Sequence, residues 1–453
     1  MEEKENDVFE VLTTLLNEKK FHKLRTVLGN MNPADIAEYI MEKDAKDRLL
    51  VYRILPKELA AEVFAYLDTD VQQMLIMSFT DEEISGVLNE LFLDDTVDFL
   101  EEMPAYVVQR VLERADPDKR KIINQFLQYP EDSAGSLMTI EYVNLNKNYT
   151  VEEAIRRIRR TGIDKETVYT AYVTDGKRIL EGIVTVKDLL LAKNENIVAD
   201  IMDDNVIFAN TNDDKEKVSA IFKKYDFMSL PVIDAEHRIV GIITIDDIVD
   251  VIQESDTEDF EKMAALRPSE KPYLKSSVFT LAKNRIVWLL VLMLSGMLVG
   301  SLLGIFKEAL IGILVIFIPM MTDTGGNAGS QSSTLIIRGL ALGEITTKDY
   351  RKVLWKEFRI SLLIGLALGV FMFLRFIIQY RDVPTGQFQT AFVISISVLF
   401  TVVAAKLIGG MLPLIAKRLK LDPAIMAAPL IATMVDAMSL MFYFGMAKLL
   451  LKI

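Results

Sequence analysis

The 453-residue chain carries 51 Lys+Arg against 64 Asp+Glu, a net charge of −13, with two histidines and no cysteine. These totals exclude disulfides, thiolate metal sites and a thiol nucleophile, and they argue against nucleic acid, whose phosphates such a charge repels. Residues 285–453 hold 16 Lys+Arg and 8 Asp+Glu, which leaves −21 on residues 1–284. An acidic, cytosolic half is therefore expected to precede a membrane half. Its plentiful ligands are hard oxygens, suited to Mg²⁺ or Ca²⁺. The acidic start, Met1-Glu-Glu-Lys, has no apolar core and predicts no signal peptide.

Residues 1–130 read as an all-helical α-solenoid. Helix-start signals recur at Asn32-Pro33, Pro56, Thr80 and Pro104, spaced by 23, 24 and 24 residues. Proline suits a first helical turn, and Thr80…Glu83 has the spacing of a capping box. Apolar residues follow at helical intervals, such as Leu59, Val63, Phe64 and Leu67. Such hairpins bury their faces only against one another.

Residues 131–252 switch to α/β and repeat once, with units 131–200 and 201–252. Each unit has an amphipathic helix (151–160, 214–224) and an apolar strand (Tyr169–Val173, Ser229–Ile233). Each closes on Gly-[Ile/Val]-[Ile/Val]-Thr-x-x-Asp, from Gly182 to Asp188 and from Gly241 to Asp247. The two copies resemble a pair of CBS domains, the regulatory module named after cystathionine β-synthase. That resemblance implies ATP or a related nucleotide in the cleft, with Thr185, Asp188, Thr244 and Asp247 at the ribose; a purely structural pair is the other reading. Thr170 stands where nucleotide-binding members often place a stacking aromatic, which counts against ATP.

Residues 253–285 read as the connection. Glu254, Asp256, Glu258, Asp259 and Glu261 open it, Pro268 and Pro272 interrupt it, and Tyr273–Arg285 reads as a basic amphipathic helix on the membrane surface. Five spans are expected in 286–453: 286–306, 309–337 broken near its middle, 360–378, 387–416 and 423–451. The basic loops carrying Arg338, Lys348, Arg351, Lys352 and Lys356, then Lys417, Arg418 and Lys420, put the N-terminus in the cytoplasm and the C-terminus outside.

Pro423–Ala447 is a run of 25 residues with one charged side chain, Asp436. A carboxylate at bilayer depth costs about 2.5–3.5 kcal/mol on insertion scales, so it marks a functional candidate; a protonated acid bonded to a neighbouring helix is the alternative. The second span holds Gly325, Gly326, Asn327, Gly329 and Gln331, residues that suit close helix approach or an unwound segment lining a cavity. With Asp436 they make a polar path. Asp323 and Lys406 have no evident role. Asp323-Thr-Gly325 also spells a short aspartic-protease signature, which raises an intramembrane aspartyl hydrolase as a remote alternative. An ion-coupled secondary transporter is a nearer one, although no inverted repeat is visible in the spans.

Pro319…Gly325-Gly326-Asn327-x-Gly329-x-Gln331, Arg338, and Asp422-Pro423-Ala424…Pro429…Thr433-x-x-Asp436 closely resemble the MgtE magnesium channels, and the order of parts matches along the whole chain. The resemblance implies a homodimer in a bacterial cytoplasmic membrane, without enzymatic activity. Its pore lies on the two-fold axis, lined by Gly325, Gly326, Asn327, Gln331 and Thr433, with Asp436 of both subunits on a hydrated Mg²⁺. It further implies closure by cytosolic Mg²⁺ at Glu62, Asp94, Asp98, Asp214, Glu216, Asp226, Asp247, Asp250, Glu258 and Asp259. The connecting helix 253–285 transmits that closure. Membrane lipid and Mg²⁺ are the other expected partners.

Overall fold

A computed structural model describes residues 2–268, 273–274, 276–306, 312–380, 386–426 and 428–451. The chain forms two compact units, Met1–Ile252 and Gln253–Ile453.

The first unit opens with ten helices, α1 (Glu2–Asn17) to α10 (Pro117–Phe126), among the described residues. The expected starts are there. The Asn32 side chain accepts from the Ala34 amide ahead of α3 (Pro33–Met41), and Thr80 and Glu83 close a capping box on α7 (Asp81–Glu90). Pro56 and Pro104 immediately precede α5 (Lys57–Ala65) and α9 (Ala105–Arg114). Each period of the repeat is a helix pair whose apolar stripe, Val63 and Phe64 or Ile84 and Leu88, is fully buried. The solenoid does not end in a polar cap. Its core continues into Phe222, Leu230, Val232 and Ile243 of the second α/β unit, so helices and α/β units share one interior.

Each α/β unit has a three-stranded sheet, β1-β2-β3 (Val143–Leu145, Thr170–Thr174, Leu180–Thr185) and β4-β5-β6 (Ala209–Asn210, Ser229–Ile233, Ile239–Thr244). In both, the first pair is parallel and the second antiparallel. Helices α11 (Val151–Thr161) and α14 (Lys215–Tyr225) form the crossovers, and α12 (Val186–Leu191) and α15 (Ile245–Met263) follow the last strands; the short α13 (Val198–Ile201) leads into the second unit. The leading segments are exchanged: Thr139 pairs with Ile242 of β6, and Asp203 pairs with Ile183 of β3. This explains the repeated glycine. A Cβ on Gly182 would stand 3.0 Å from the Asp203 carbonyl, and one on Gly241 2.7 Å from that of Thr139. The units also meet through Tyr142, Tyr172, Ile239 and Ile242.

In the second unit the connection differs from the expected surface helix. Helix α15 runs on from the α/β repeat to Met263, and α16 (Val278–Ile305) begins at the Ser277 cap and continues unbroken into the first span. Val278–Arg285 is thus the start of that span, since no proline or glycine interrupts it before Gly296; Lys275 lies outside the described residues. Then follow α17 (Gly312–Val315), α18 (Ile318–Ala341), α19 (Tyr350–Gln379), α20 (Gln387–Arg418) and α21 (Ala428–Leu451). Four of these, α16, α19, α20 and α21, are long and apolar enough to cross a membrane. Helix α18 has the length, at 24 residues, and is diluted by its glycines and amides. The expected break near the middle of the second span falls instead at Ile316–Phe317, before Pro319. Helix α19 begins ten residues before the predicted 360, because Arg351–Arg359 are helical despite their charges.

Candidate functional site

The polar stretch of α18 stays helical, so its glycines serve packing. A Cβ on Gly325 would collide with Val435 of α21 at 2.6 Å and Thr401 of α20 at 2.9 Å. On Gly329 it would stand 3.2 Å from the Ala405 carbonyl, and one on Gly409 would overlap the Gly329 carbonyl. Gly326 rests on Ala432, with room for contact at 3.4 Å. Three helices therefore approach to backbone contact at this level. Of the two readings of this stretch, close helix approach holds and the unwound, carbonyl-lined segment does not.

That packing decides where the polar groups point. Asp323, Asn327 and Gln331 are exposed in the single chain, whereas Gly325, Ala328, Gly329, Ser332 and Ser333 are buried. Their spacing of four residues makes one stripe down α18, with side chains roughly 6 Å apart. Asp323, which had no evident role in the sequence, is the top of it. Asp436 on α21 is half-buried, and its Oδ1 is buried with no hydrogen-bond partner. Thr433 Oγ1 donates to its own helix at Leu430 O, 2.9 Å. The buried hydroxyls of Ser397, Thr401 and Ser439 also lack partners. An unpartnered carboxylate oxygen with acceptor hydroxyls nearby in the bundle fits a hydrated cation, whose waters donate hydrogen bonds.

A second site lies within the first unit, where α8 (Leu93–Glu101) meets the α/β repeats. Asp94 is buried, and its carboxyl is pushed well above the usual range by burial, then by Asp247, Asp95 and Glu166. Burial and the Asp98, Asp246 and Glu141 charges raise Asp95 to about 6. Burial and Asp246 raise Asp247 to about 7. Burial, then Asp95, Asp246 and Asp247, raise Glu166 to about 8, and its Oε2 is buried without a partner. Lys119, donating to the Leu88 and Leu91 carbonyls, is a cation at the edge of this group, and burial lowers its pKa. Among the described residues no three such side chains close into a coordination shell. The acids lie within electrostatic reach of one another.

Of the acids expected to hold cytosolic Mg²⁺, the structure brings Asp94 and Asp247 together and leaves Asp98 and Asp250 exposed at the margin. Asp95, Glu141, Glu166 and Asp246 belong to the group and were missed. Only Asp95 and Asp246 carried a signal, each standing next to a chosen residue. Glu62 is exposed on α5. Asp214 caps α14 by accepting from the Glu216 amide at 2.8 Å, while Asp226 ends the same helix in the left-handed region at φ 53°. Eleven residues of helix separate those ends by about 16 Å, so Asp214 and Glu216 cannot share one ion with Asp226 of the same chain. The Thr-x-x-Asp pairs are engaged locally. Thr185 and Asp188 close a capping box on α12, and Thr244 Oγ1 donates to Asp247 at 2.9 Å.

In the second unit, Glu258 does not stand free. Lys262 Nζ bridges Glu258 and Asp422, each at 2.6 Å. Burial opposes the charge, and the two carboxylates nevertheless hold the Lys262 pKa above its ordinary value. Asp259 is half-buried on the same helix.

Comparison with known proteins accounts for all of these parts. Residues 318–446 match the MgtE divalent cation transporter family, 31–132 the MgtE intracellular N domain, and 134–195 and 198–254 the CBS domain. The magnesium transporter MgtE of Thermus thermophilus is 37% identical over 97% of this chain and 98% of its own. That of Bacillus subtilis is 31% identical over 96% and 95%. Among solved structures, the cytosolic domain of the Mg²⁺ channel MgtE in complex with ATP is 38% identical, with a TM-score of 0.51 over 53% of this chain and 98% of that one. The soluble part of a magnesium transporter is 27% identical, with a TM-score of 0.53 over 55% and 99%. Transport of Mg²⁺, a non-enzymatic function, is what these relatives are named for, and the chain belongs to the MgtE family of magnesium transporters.

Proposed function

We propose that the chain forms a passive, Mg²⁺-selective channel and that cytosolic Mg²⁺ closes it. The observation that carries the first part is the Asp323–Asn327–Gln331 stripe, exposed in the single chain beside the half-buried Asp436. Lipid cannot satisfy such a surface, so a second copy and water must cover it. A two-fold dimer would place two Asp436 carboxylates on one path. Mg²⁺ dehydrates reluctantly, and facing carboxylates can grip its water shell without stripping it. In this arrangement the N-terminus is cytosolic, the C-terminus is outside, and lipid surrounds the apolar faces of a bacterial cytoplasmic membrane protein.

The second part is supported by the Asp94, Asp95, Glu166 and Asp247 group. Mutual repulsion loosens this contact when no cation is present, and bridging Mg²⁺ tightens it. An ion that binds the tight state better shifts the population by that difference in affinity. ATP in the CBS pair is supported by the ATP complex of the 38% identical domain. Capture by Thr185 or Asp188 would have to coexist with their capping bonds.

Single-channel recording in a planar bilayer tests this reading. Discrete Mg²⁺ currents that vanish as Mg²⁺ rises on the cytosolic side are expected. Uptake strictly tied to a proton gradient, with no unitary events, would establish an ion-coupled transporter instead.

A further inference from the structure

Among the described residues, two charged side chains are buried inside the membrane unit and are absent from the scheme above. Lys406 on α20 is 4% exposed and Glu357 on α19 is 7% exposed. Ser332 on α18 is fully buried between them. Its Oγ donates to Glu357 Oε2 at 2.6 Å and accepts from Lys406 Nζ at 3.3 Å. Lys406 Nζ also reaches Gln331 Oε1, at 3.5 Å. The geometry is built for this contact. Gly410, one turn beyond Lys406, leaves the space that Glu357 occupies, since a Cβ there would stand 3.0 Å from Glu357 Cγ. Gly409 and Gly329 bring α20 and α18 together at the same level.

A buried carboxylate and a buried ammonium are each costly in hydrocarbon, and together they are neutral. Their shared serine adjoins Gln331, the lowest member of the stripe on α18. We propose that Glu357, Ser332 and Lys406 form an electroneutral couple behind the ion path that positions Gln331 and sets the electrical potential of that section. This inference rests on the reading that the stripe faces the path. Each partner then has an effect of opposite sign. With the glutamate neutralised, a bare ammonium stands beside the path and repels Mg²⁺, which feels twice the force that a monovalent ion does. With the lysine neutralised, a bare carboxylate attracts cations of any valence, and discrimination against Na⁺ falls. A merely structural network would have no such sign.

The test uses the full-length protein in liposomes, with Mg²⁺ and Na⁺ fluxes measured on the same preparations and thermal stability followed in detergent. Glu357→Gln is expected to lower Mg²⁺ flux about tenfold, and Lys406→Met to raise Na⁺ leak about tenfold. The double variant, neutral again, should recover both values to within about threefold of the unmutated protein. Singles that change in the same direction, in step with lost stability, would overturn the proposal. A double variant no better than its worse parent would do so too. Should either single fail to assemble, the double variant and Lys406→Arg decide. Na⁺ leak in the charge-preserving Lys406→Arg, or no Mg²⁺ flux in the double, counts against it. Mg²⁺ flux untouched by Asp436→Ala would remove the path itself, and this inference with it.

Discussion

Both units bury carboxylates, and they treat them differently. In the membrane unit Glu357 has a serine hydroxyl at 2.6 Å, and that serine has an ammonium. In the soluble unit Asp94, Asp95, Glu166 and Asp247 face one another, with Lys119 as the nearby cation. A compensated charge holds helices in register. An uncompensated group raises the pKa of every member and is at rest only when protonated or bridged. Asp436 lies between these cases: it is one half-buried acid, with one buried oxygen unpartnered. Charge that a fold leaves unpaired is where a cation is expected.

The sharpest way to break this comparison is Asp436→Ala. Removing one side of a desolvated charge contact costs roughly 2–5 kcal/mol, so Mg²⁺ flux should fall about 30-fold or more. The fold should persist, because the lost carboxylate was itself a burden. Flux of unchanged affinity would show that the unpaired acid is not the ion site.

Next in size is the soluble group. Replacing Asp94, Asp98, Asp247 and Asp250 with alanine should make the metal-free protein more resistant to proteolysis around residues 125–135. Relief of the raised carboxyls is worth on the order of 2–4 kcal/mol. The same variant should lose most of its closure by cytosolic Mg²⁺. Unchanged inhibition, with protection that ignores Mg²⁺, would show that the group is not the sensor.

The pH dependence is smaller and has a definite sign. These carboxyls titrate near 4 when unfolded. In the fold Asp95 lies at about 6, Asp247 at about 7 and Glu166 at about 8. The folded state therefore binds more protons, and the metal-free contact loses stability as pH rises from about 4 through that window. Mg²⁺ competes with those protons. The Mg²⁺ concentration for half-closure should rise about tenfold or more between pH 8 and pH 6. A flat profile would separate the sensor from this group.

The smallest effect belongs to Lys262→Met. Its bonds to Glu258 and Asp422 are partly solvated, and such pairs contribute about 1 kcal/mol or less. Cleavage between Met263 and Ser277 in metal-free protein should accelerate about two- to fivefold. Equal cleavage rates would mean that this bridge does not restrain the connection.

Much of this was legible in residue order. The helix starts at Asn32, Pro56, Thr80 and Pro104 are local chemistry, because a cap needs only its own first turn. The paired α/β units announced themselves by repetition, and Asp436 as the one charged side chain in a run of 25 residues. What depended on distant neighbours was not readable. Only the tertiary structure showed that the glycines of the α/β repeats admit an exchanged strand, because Asp203 and Thr139 come from the other unit. It kept α18 helical through Gly325–Gln331, since α20 and α21 press against those glycines and fill the space that unwinding would need. It joined Glu166 to Asp94, separated by 72 residues, where no spacing rule applies. It also linked Lys406, through Ser332, to Glu357 on a stretch that the charge pattern assigned to a loop. Periodicity records which face of an element is buried; which other element buries it is settled by packing alone.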